Sequence, residues 1–294
     1  NSGRIGTFGG NVSDVNSQGD DATIINNGLI YGAGSGSIGV QSSGADANIV
    51  NNGSFLTIGD GSIGIVAAGN NARIVNTQSI EAVGNNATFG IISDGVGANV
   101  DNRGFIGVSG TASVAIIGDK SDLTVSNSGS IEAIGEAASG ILWGSNGPLN
   151  DGLQLTNSGS IAVSGLAATA IGAGGNDIVI VNSGAVSASG TASTGIVTLY
   201  GNATITNTGS VIVSGAGSVS ITAQGTNAVI TNSGQVFNDQ GAAISFGSSN
   251  GTLNLLGGTA IQGSIAFTGS SNTVSFGPGL NAIMTFSGSG LPQT

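Results

Sequence analysis

The chain of 294 residues contains 15 acidic residues, four basic residues and no His or Cys, so its net charge is −11. Nucleic acids and anionic membrane surfaces are bound through several Lys or Arg residues, so neither is expected as a partner. The absence of Cys and His excludes disulfides and His-containing catalytic triads, and it removes the preferred ligands of zinc. No apolar run approaches the roughly 20 residues that span a bilayer, so no direct membrane insertion is predicted.

The remaining composition combines a very high Gly content with an apolar character. Gly accounts for 55 residues and charged residues for only 6% of the chain, as in many disordered segments. Disordered chains, however, are poor in β-branched apolar residues, whereas this chain is rich in Ile and Val. The composition therefore predicts a chain that buries an apolar core.

A phrase of the form Asn-x-Gly returns along the chain from the first residue onward. Successive phrases are 25 residues apart, except for one step of 26 and one of 30. The marker residues are Asn1, Asn26, Asn51, Asn76, Asn102, Asn127, Asn157, Asn182, Asn207 and Asn232. Gly stands two positions after every marker except one, where Gln78 replaces it. A fixed period of this length predicts a repeat architecture.

Each period contains three short segments of alternating apolar and polar residues, such as "ATITN" before the marker, "GSIEA" after it and "STGIVT" further on. This alternation, bounded by Gly and Asn, is typical of half-buried β-strands and leaves no room for a helix. The sequence therefore predicts an all-β fold, a right-handed parallel β-helix. This three-faced β-solenoid would have about 25 residues per coil and roughly 11–12 coils.

The repeated phrase is interpreted as a corner that every coil needs. Gly permits a left-handed or otherwise restricted backbone conformation there, and stacked Asn side chains can hydrogen-bond from coil to coil. The predicted structural ladder comprises Asn26, Asn51, Asn76, Asn102, Asn127, Asn157, Asn182, Asn207 and Asn232. A second polar column, five positions before the marker, is predicted to form turns; it comprises Asp21, Asp46, Asn71, Asp122, Asp177, Asn202 and Asn227.

The pattern divides the chain into residues 1–249, with regular repeats, and residues 250–294, where the repeats diverge. Five of the nine Phe residues lie near or within this second part: Phe237, Phe246, Phe267, Phe276 and Phe286. Aromatic side chains bury large areas, so this end is predicted to be a cap or a folding nucleus.

The 30-residue step marks an insertion within "WGSNGPLNDG", residues 143–152. Insertions in solenoids form loops on one face, and such loops often bind partners. The candidate binding loop comprises Trp143, Asn146, Pro148, Asn150 and Asp151. The alternative is a tolerated loop whose Trp143 folds back onto the rod.

Candidate chemistry is sparse. Glu81 and Glu132 occupy equivalent positions two coils apart, about 9–10 Å, which is close to the separation of carboxylates in inverting glycosidases. The intervening coil has Gly107, and a solvated outward position also explains both residues. "GAGGNDIVI", with Asp177, resembles one unit of a calcium-binding nonapeptide roll, but tandem units are missing. No catalytic, metal or cofactor-binding residue is predicted, and no cofactor is expected.

The phrases "NSGSI", "TNTGSV" and "VNSGAV", followed by strands such as "AASGI" and "TASTGI", resemble the passenger domains of bacterial autotransporters over residues 1 to about 261. The resemblance implies export through the outer membrane, and hence a secreted or bacterial cell-surface location. It also implies that the aromatic-rich end is a C-terminal stabilising region. Because the chain starts directly on a repeat phrase, it is interpreted as a fragment of a longer protein.

The functional prediction is a non-enzymatic, surface-exposed rod acting in adhesion or self-association through its side faces and the 143–152 loop. The expected partners are a host-cell surface protein, a glycan or another copy of the chain. Two alternatives stay open at this stage. One is a β-helical polysaccharide lyase or hydrolase, and the other is a structural spacer that displays another domain.

Overall fold

The structure, a computed structural model, describes residues 1–144, 151–280 and 284–288. Within these residues all regular elements are β-strands, and no helix that could cross a membrane is found among them. In chain order the strands are β1 (Arg4–Phe8), β2 (Ser13–Ser17), β3 (Thr23–Asn26), β4 (Leu29–Ala33), β5 (Ile38–Ser42), β6 (Asn48–Asn51), β7 (Ser54–Ile58), β8 (Ile63–Ala67), β9 (Arg73–Asn76), β10 (Ser79–Asn86), β11 (Phe89–Ser93), β12 (Asn99–Asn102), β13 (Phe105–Thr111), β14 (Val114–Gly118), β15 (Thr124–Asn127), β16 (Ser130–Ile134), β17 (Ser139–Trp143), β18 (Gln154–Asn157), β19 (Ser160–Ser164), β20 (Thr169–Ala173), β21 (Val179–Asn182), β22 (Ala185–Ser189), β23 (Thr194–Thr198), β24 (Thr204–Asn207), β25 (Ser210–Ser214), β26 (Val219–Ala223), β27 (Val229–Asn232), β28 (Gln235–Phe246), β29 (Thr252–Leu255), β30 (Ala260–Phe267), β31 (Thr273–Phe276) and β32 (Phe286–Ser287).

The strands stack in three faces, and each regular coil contributes one strand to each face. The first face contains β1, β4, β7, β10, β13, β16, β19, β22 and β25; the second contains β2, β5, β8, β11, β14, β17, β20, β23 and β26; the third contains β3, β6, β9, β12, β15, β18, β21, β24, β27, β29 and β31. The longer strands β28 and β30 run through the first face into the second, and β32 pairs with β30.

The stacking is parallel and in register, as the repeat predicts. Asn26 pairs with Asn51, and Ile30 pairs with Phe55, so that residues one period apart lie directly above one another. The predicted β-solenoid, with about 11 turns of roughly 25 residues, is thereby confirmed. With strands about 4.8 Å apart, the stack is about 50 Å long. The right-handed winding stays a prediction from the general preference of parallel crossovers.

The core of the rod consists of apolar columns that run through successive coils. Ile74, Val100 and Val125 of the third face are fully buried, as are Ile80 and Ile106 of the first face. Because each column repeats a similar side chain at each step, a coil packs chiefly against its two neighbours, which is the energetic pattern of a solenoid.

The marker Asn residues form a hydrogen-bond ladder inside the corner between the third and first faces. Each side-chain Nδ2 donates to Oδ1 of the next marker, from Asn1 to Asn232, at distances of 2.7–2.9 Å. The Nδ2 of Asn26 also donates to the carbonyl oxygen of Gly28. Buried amides are stable only when their groups are paired, so the ladder supplies the partners that this corner requires.

The predicted turn column and the glycines of the Asn-x-Gly phrase have different backbone conformations. The predicted turn column, from Asp21 to Asn227, lies in the left-handed region, with φ between 53° and 60°. The Gly of the Asn-x-Gly phrase does not, so of the two predicted possibilities, a left-handed or an otherwise restricted backbone, the left-handed one is wrong. A Cβ on Gly129 would instead overlap the carbonyl oxygen of Gly104 in the preceding coil. Glycine is needed in this phrase because two backbones approach closely, which is a second established use of this residue.

The corner changes after Asn232, where the register continues to Leu255 and then to Phe276. The interior there contains an aromatic cluster. The ring centroids of Phe246 and Phe267 are 5.6 Å apart, and those of Phe267 and Phe286 are 6.2 Å apart. The strands continue to stack through this change, so the regular and divergent parts share one rod. The role of this end as a cap or folding nucleus stays a prediction.

Candidate functional site

Charged residues are distributed unequally over the three faces. The eight second-face strands from β5 to β26 contain no charged residue, although the chain carries 15 acidic and four basic residues. Charged residues do occur in first-face strands, as with Glu81 and Glu132, and in third-face strands, as with Arg73 and Asp101. Most other acidic residues lie in the turns, where water solvates them.

The outward side chains of these eight strands form a surface that we call the apolar stripe. In each five-residue strand the first and fourth residues face outward, and the third packs into the core, as Ile91 does in β11. The stripe comprises Ile38, Gln41, Ile63, Val66, Phe89, Ile92, Val114, Ile117, Ser139, Leu142, Thr169, Gly172, Thr194, Val197, Val219 and Thr222. Most of these residues are half-buried. Because an extended apolar surface that stays partly accessible to water often belongs to an interaction site, the stripe is a candidate binding surface.

Side-chain size changes along the stripe. The strands β5, β8, β11 and β14 present mainly Ile, Val and Phe, whereas β17, β20, β23 and β26 present mainly Ser, Thr, Gly and Val, with Leu142 as the largest. The half of the stripe from β5 to β14 therefore presents bulky side chains, and the half from β17 to β26 presents small ones. Neither half is charged.

Gly172 interrupts the fourth-position column of the stripe and leaves a notch. A Cβ at this position would lie 3.0 Å from Cδ1 of Leu142, 3.4 Å from Cγ2 of Thr169 and 3.9 Å from Cγ1 of Val197. The notch is a cavity of about 150 Å³ that also contacts Leu199 and Tyr200. Its walls are apolar, so it suits one apolar side chain or ring.

The structure corrects the prediction that Trp143 belongs to the binding loop. Trp143 is the last residue of β17, is fully buried, and donates a hydrogen bond from Nε1 to the carbonyl oxygen of Lys120 at 2.9 Å. Its ring fits because Gly118 precedes it in the same column and Ala173 follows it. The alternative, in which Trp143 folds back onto the rod, is therefore the one that the structure supports.

The rest of the candidate loop is only partly described. Asn146, Pro148 and Asn150 lie outside the described residues, so their role as binding residues stays a prediction. Asp151 is exposed and pairs with Asn176 of the next coil in an isolated parallel bridge. Beyond the insertion the stacking therefore resumes at Asp151.

A second pocket lies on the first face between the two glutamates singled out in the sequence. Glu81, Gly107 and Glu132 are consecutive in the stacking register, and together with Phe105 they border a shallow pocket of about 130 Å³. The Phe105 ring covers Gly107. Phe105 was missed in the sequence, although an aromatic residue at a position that is otherwise mostly Ser was a usable signal.

Few charge interactions perturb the described acidic residues. Burial is the main cause that raises the pKa of Asp94; the nearby Asp119 adds to it, and Lys120 offsets part of it. Burial also raises the pKa of Asp14.

Among the described residues no group of three or more His, Cys, Asp and Glu could hold a metal ion. Asp177, from the nonapeptide-like string, accepts a hydrogen bond from Nδ2 of Asn202 at 3.0 Å and has the left-handed turn conformation.

Comparison of the chain with protein-family models, with curated proteins and with solved structures gave no significant match.

Proposed function

We propose that this chain is a non-enzymatic rod, secreted or displayed at a bacterial cell surface, that binds a macromolecular partner through its apolar stripe. Adhesion and self-association are the activities that this binding would serve. The observation that carries the proposal is the absence of charge from the eight stacked second-face strands from β5 to β26, in a chain whose net charge is −11. Uncharged, flat and repeated surfaces suit extended contacts with another macromolecule better than they suit a small substrate.

The location rests on the resemblance of the repeated phrases to autotransporter passenger domains. The rod shape is consistent with this proposal, because a solenoid presents long side surfaces and needs no catalytic cleft. The binding role of the 143–152 loop, which follows β17 in the chain, stays a prediction.

The proposal is tested with one pair of matched variants. Val197 lies in the apolar stripe and Val181 lies on the third face, and both are half-buried Val residues within β-strands. We expect Val197→Asp to weaken binding to host cells, glycans or the chain itself by about tenfold or more, because an unpaired charge would be desolvated. Val181→Asp should leave binding unchanged. Equal effects of the two variants, or no binding by the unaltered chain to any of these, would contradict the proposal.

The enzyme alternative is favoured by one observation, the pocket between Glu81 and Glu132. If these carboxylates cleave a polysaccharide, incubation with acidic and neutral polysaccharides would release new reducing or unsaturated ends. Such turnover, lost in the Glu81→Gln and Glu132→Gln variants, would replace the binding proposal with a glycosidase or lyase function.

A further inference from the structure

We infer that the partner of the apolar stripe is a second copy of this chain, packed face to face with the two rods antiparallel. The inference rests on the proposed function, because it names the occupant of the same surface. Three observations support it: the distribution of charge, the change of side-chain size along the stripe, and the position of the notch.

Charge restricts where two copies can meet. Each copy carries a net charge of −11, so two copies repel each other at long range, and a contact that buried carboxylates would also have to desolvate them. A first-face contact along the whole rod would bury Glu81 and Glu132, and a third-face contact along the whole rod would bury Arg73 and Asp101. The second face has the longest uncharged run, eight stacked strands from β5 to β26, against seven on the third face, from β15 to β31.

Side-chain size selects the antiparallel arrangement. A twofold axis that lies in the interface, midway between β14 and β17, places β5 opposite β26, β8 opposite β23, β11 opposite β20 and β14 opposite β17 of the other copy. The bulky half of one stripe then faces the small half of the other, in the alternation of large and small side chains that close packing requires. A parallel arrangement would instead oppose Phe89 to the bulky residues of its own strand in the other copy.

The same symmetry fills the notch. Gly172 and Ile92 both occupy the fourth position of their strands, β20 and β11, which the twofold axis brings together. Ile92 of each copy would enter the notch at Gly172 of the other. An apolar cavity of this size, about 150 Å³, can hold a benzene-sized group, so it has room for an Ile side chain. At the ends, Gln41 faces Thr222, which pairs two polar side chains.

The contact area suits a reversible dimer. Eight strands spaced by about 4.8 Å, each five residues long, cover roughly 600 Å² on each copy. The total, roughly 1,200 Å², is at the lower limit of specific protein interfaces. We therefore expect a monomer–dimer equilibrium that depends on concentration, and not a permanent dimer.

The first experiment measures the dissociation constant by sedimentation equilibrium for the unaltered chain and for size variants. Gly172→Ile fills the notch and should weaken the dimer about tenfold or more; its Cβ lies 3.0 Å from Cδ1 of Leu142, so the flexible end of that side chain must shift, and circular dichroism checks that the monomer stays folded. Combining it with Ile92→Ala makes room again and should recover most of the lost affinity. The third-face variant Val181→Ile is the control and should change nothing. Failure of the double variant to recover, with the fold intact by circular dichroism, would overturn the inference.

The second experiment determines orientation and uses the fact that the chain has no Cys. Gln41→Cys and Thr222→Cys lie opposite each other across the proposed axis, on sheets about 10 Å apart, within reach of a short bis-maleimide, whereas each lies seven strand spacings, about 34 Å along the rod, from the same residue of the other copy. We expect a cross-linked dimer when the two variants are mixed and little when either is treated alone. Cross-linking of Gln41→Cys to itself, with none in the mixture, would overturn the antiparallel arrangement.

The two proposals fail in distinguishable ways. If the chain stays monomeric at all concentrations but Val197→Asp still abolishes binding to cells or glycans, the dimer is wrong and the proposed binding surface stands. If the chain self-associates and Val181→Asp, but not Val197→Asp, prevents it, both proposals are wrong.

Discussion

The corner between the third and first faces has different residues in two regions of the rod. From Asn1 to Asn232 the corner contains an amide ladder, whereas beyond it the register places Leu255 and Phe276 at the same position. The regular coils satisfy each buried amide by pairing it with the next coil. The later coils contain no amide at this position. Their aromatic cluster lies elsewhere in the interior: Phe246 and Phe267 stack at the end of the second face, and Phe286 connects this pair to Phe276.

This difference shows what a repeated polar residue requires. An amide in the corner is stable only if its donor and acceptor are both paired, by the next Asn within the ladder or, at its end, by Thr259 and Gly234 for Asn232. An apolar side chain at this position needs no hydrogen-bond partner, so the residue can be as different in size as Leu255 and Phe276. The regular part therefore repeats its sequence closely, and the C-terminal part can diverge without losing the fold.

The largest effect is expected in the aromatic region. Phe267→Ala removes a fully buried ring that contacts both Phe246 and Phe286, and large-to-small changes of this kind cost about 3–5 kcal/mol. Guanidinium unfolding should be followed by circular dichroism and by the fluorescence of Trp143, the single Trp, which lies in the regular coils. We expect the circular dichroism signal to show an earlier transition, while the midpoint reported by Trp143 changes less. Equal shifts would show that the two regions unfold as one unit.

A slightly smaller effect is expected where backbones approach in the regular coils. Gly129→Ala places a methyl group against the carbonyl oxygen of Gly104, so the corner must shift, at a cost of about 1–3 kcal/mol or more. Gly19→Ala is the matched control, because a Cβ at Gly19 has no atom within contact distance and its φ is not positive. The free energy of unfolding should fall for the first variant and stay nearly constant for the second. An unaffected Gly129→Ala protein would refute the close-approach explanation.

The ladder itself is tested by Asn127→Leu, which imposes the apolar corner of the C-terminal region on a regular coil. Oδ1 of Asn157 loses its amide donor, and a buried unpaired group costs about 1–3 kcal/mol. Asn232→Leu, at the end of the ladder, leaves no following Asn without its donor and should cost less. Thermal unfolding of both variants checks the order. If Asn232→Leu is the more damaging, the ladder does not act through its buried pairs.

The smallest effect is expected at Asp14 in the first coil, because its carboxylate lacks the hydrogen-bond partners that the ladder gives to each marker Asn. Both carboxylate oxygens of Asp14 are buried without a hydrogen bond of good geometry. Burial raises the pKa of Asp14, and the neighbouring Thr7 lowers it only in part. Since the folded pKa exceeds the unfolded one, stability should decrease as the pH rises from the ordinary Asp value through the raised one.

Asp14→Asn should therefore raise the melting temperature at neutral pH, and the melting temperature should change less with pH in the acidic range. Asp21→Asn is the control, because it removes one negative charge at an exposed turn position where other coils already have Asn. If both variants raise the melting temperature equally, the gain comes from net charge and not from the burial of Asp14.

The sequence predicts the stacking well because the stacking is a property of spacing. Asn26 and Asn51 are 25 residues apart, and only an in-register coil aligns every such pair. The ladder and the turn column follow from the same spacing. The role of Gly129 could not be read in this way, because Gly serves both for a left-handed φ and for close approach, and the sequence does not distinguish the two.

The candidate site is harder to predict because it depends on which side chains face outward. Ile91 and Ile92 are adjacent residues of the same type, yet Ile92 lies in the stripe and Ile91 lies in the core. Trp143 was assigned to the loop because it borders the insertion, whereas Gly118 and Ala173 on either side provide the space that draws it inward. The absence of charge from the second-face strands was visible in the sequence, but its meaning needs the assignment of strands to faces.

The uniform direction of the amide ladder makes one coil interchangeable with another. Every regular coil offers the same acceptor to the coil before it and the same donor to the coil after it, so gain or loss of a whole 25-residue unit by gene duplication or deletion would leave each junction chemically unaltered. The reach of such a molecule is then an evolvable quantity that changes in increments of about 4.8 Å, without redesign of either terminus.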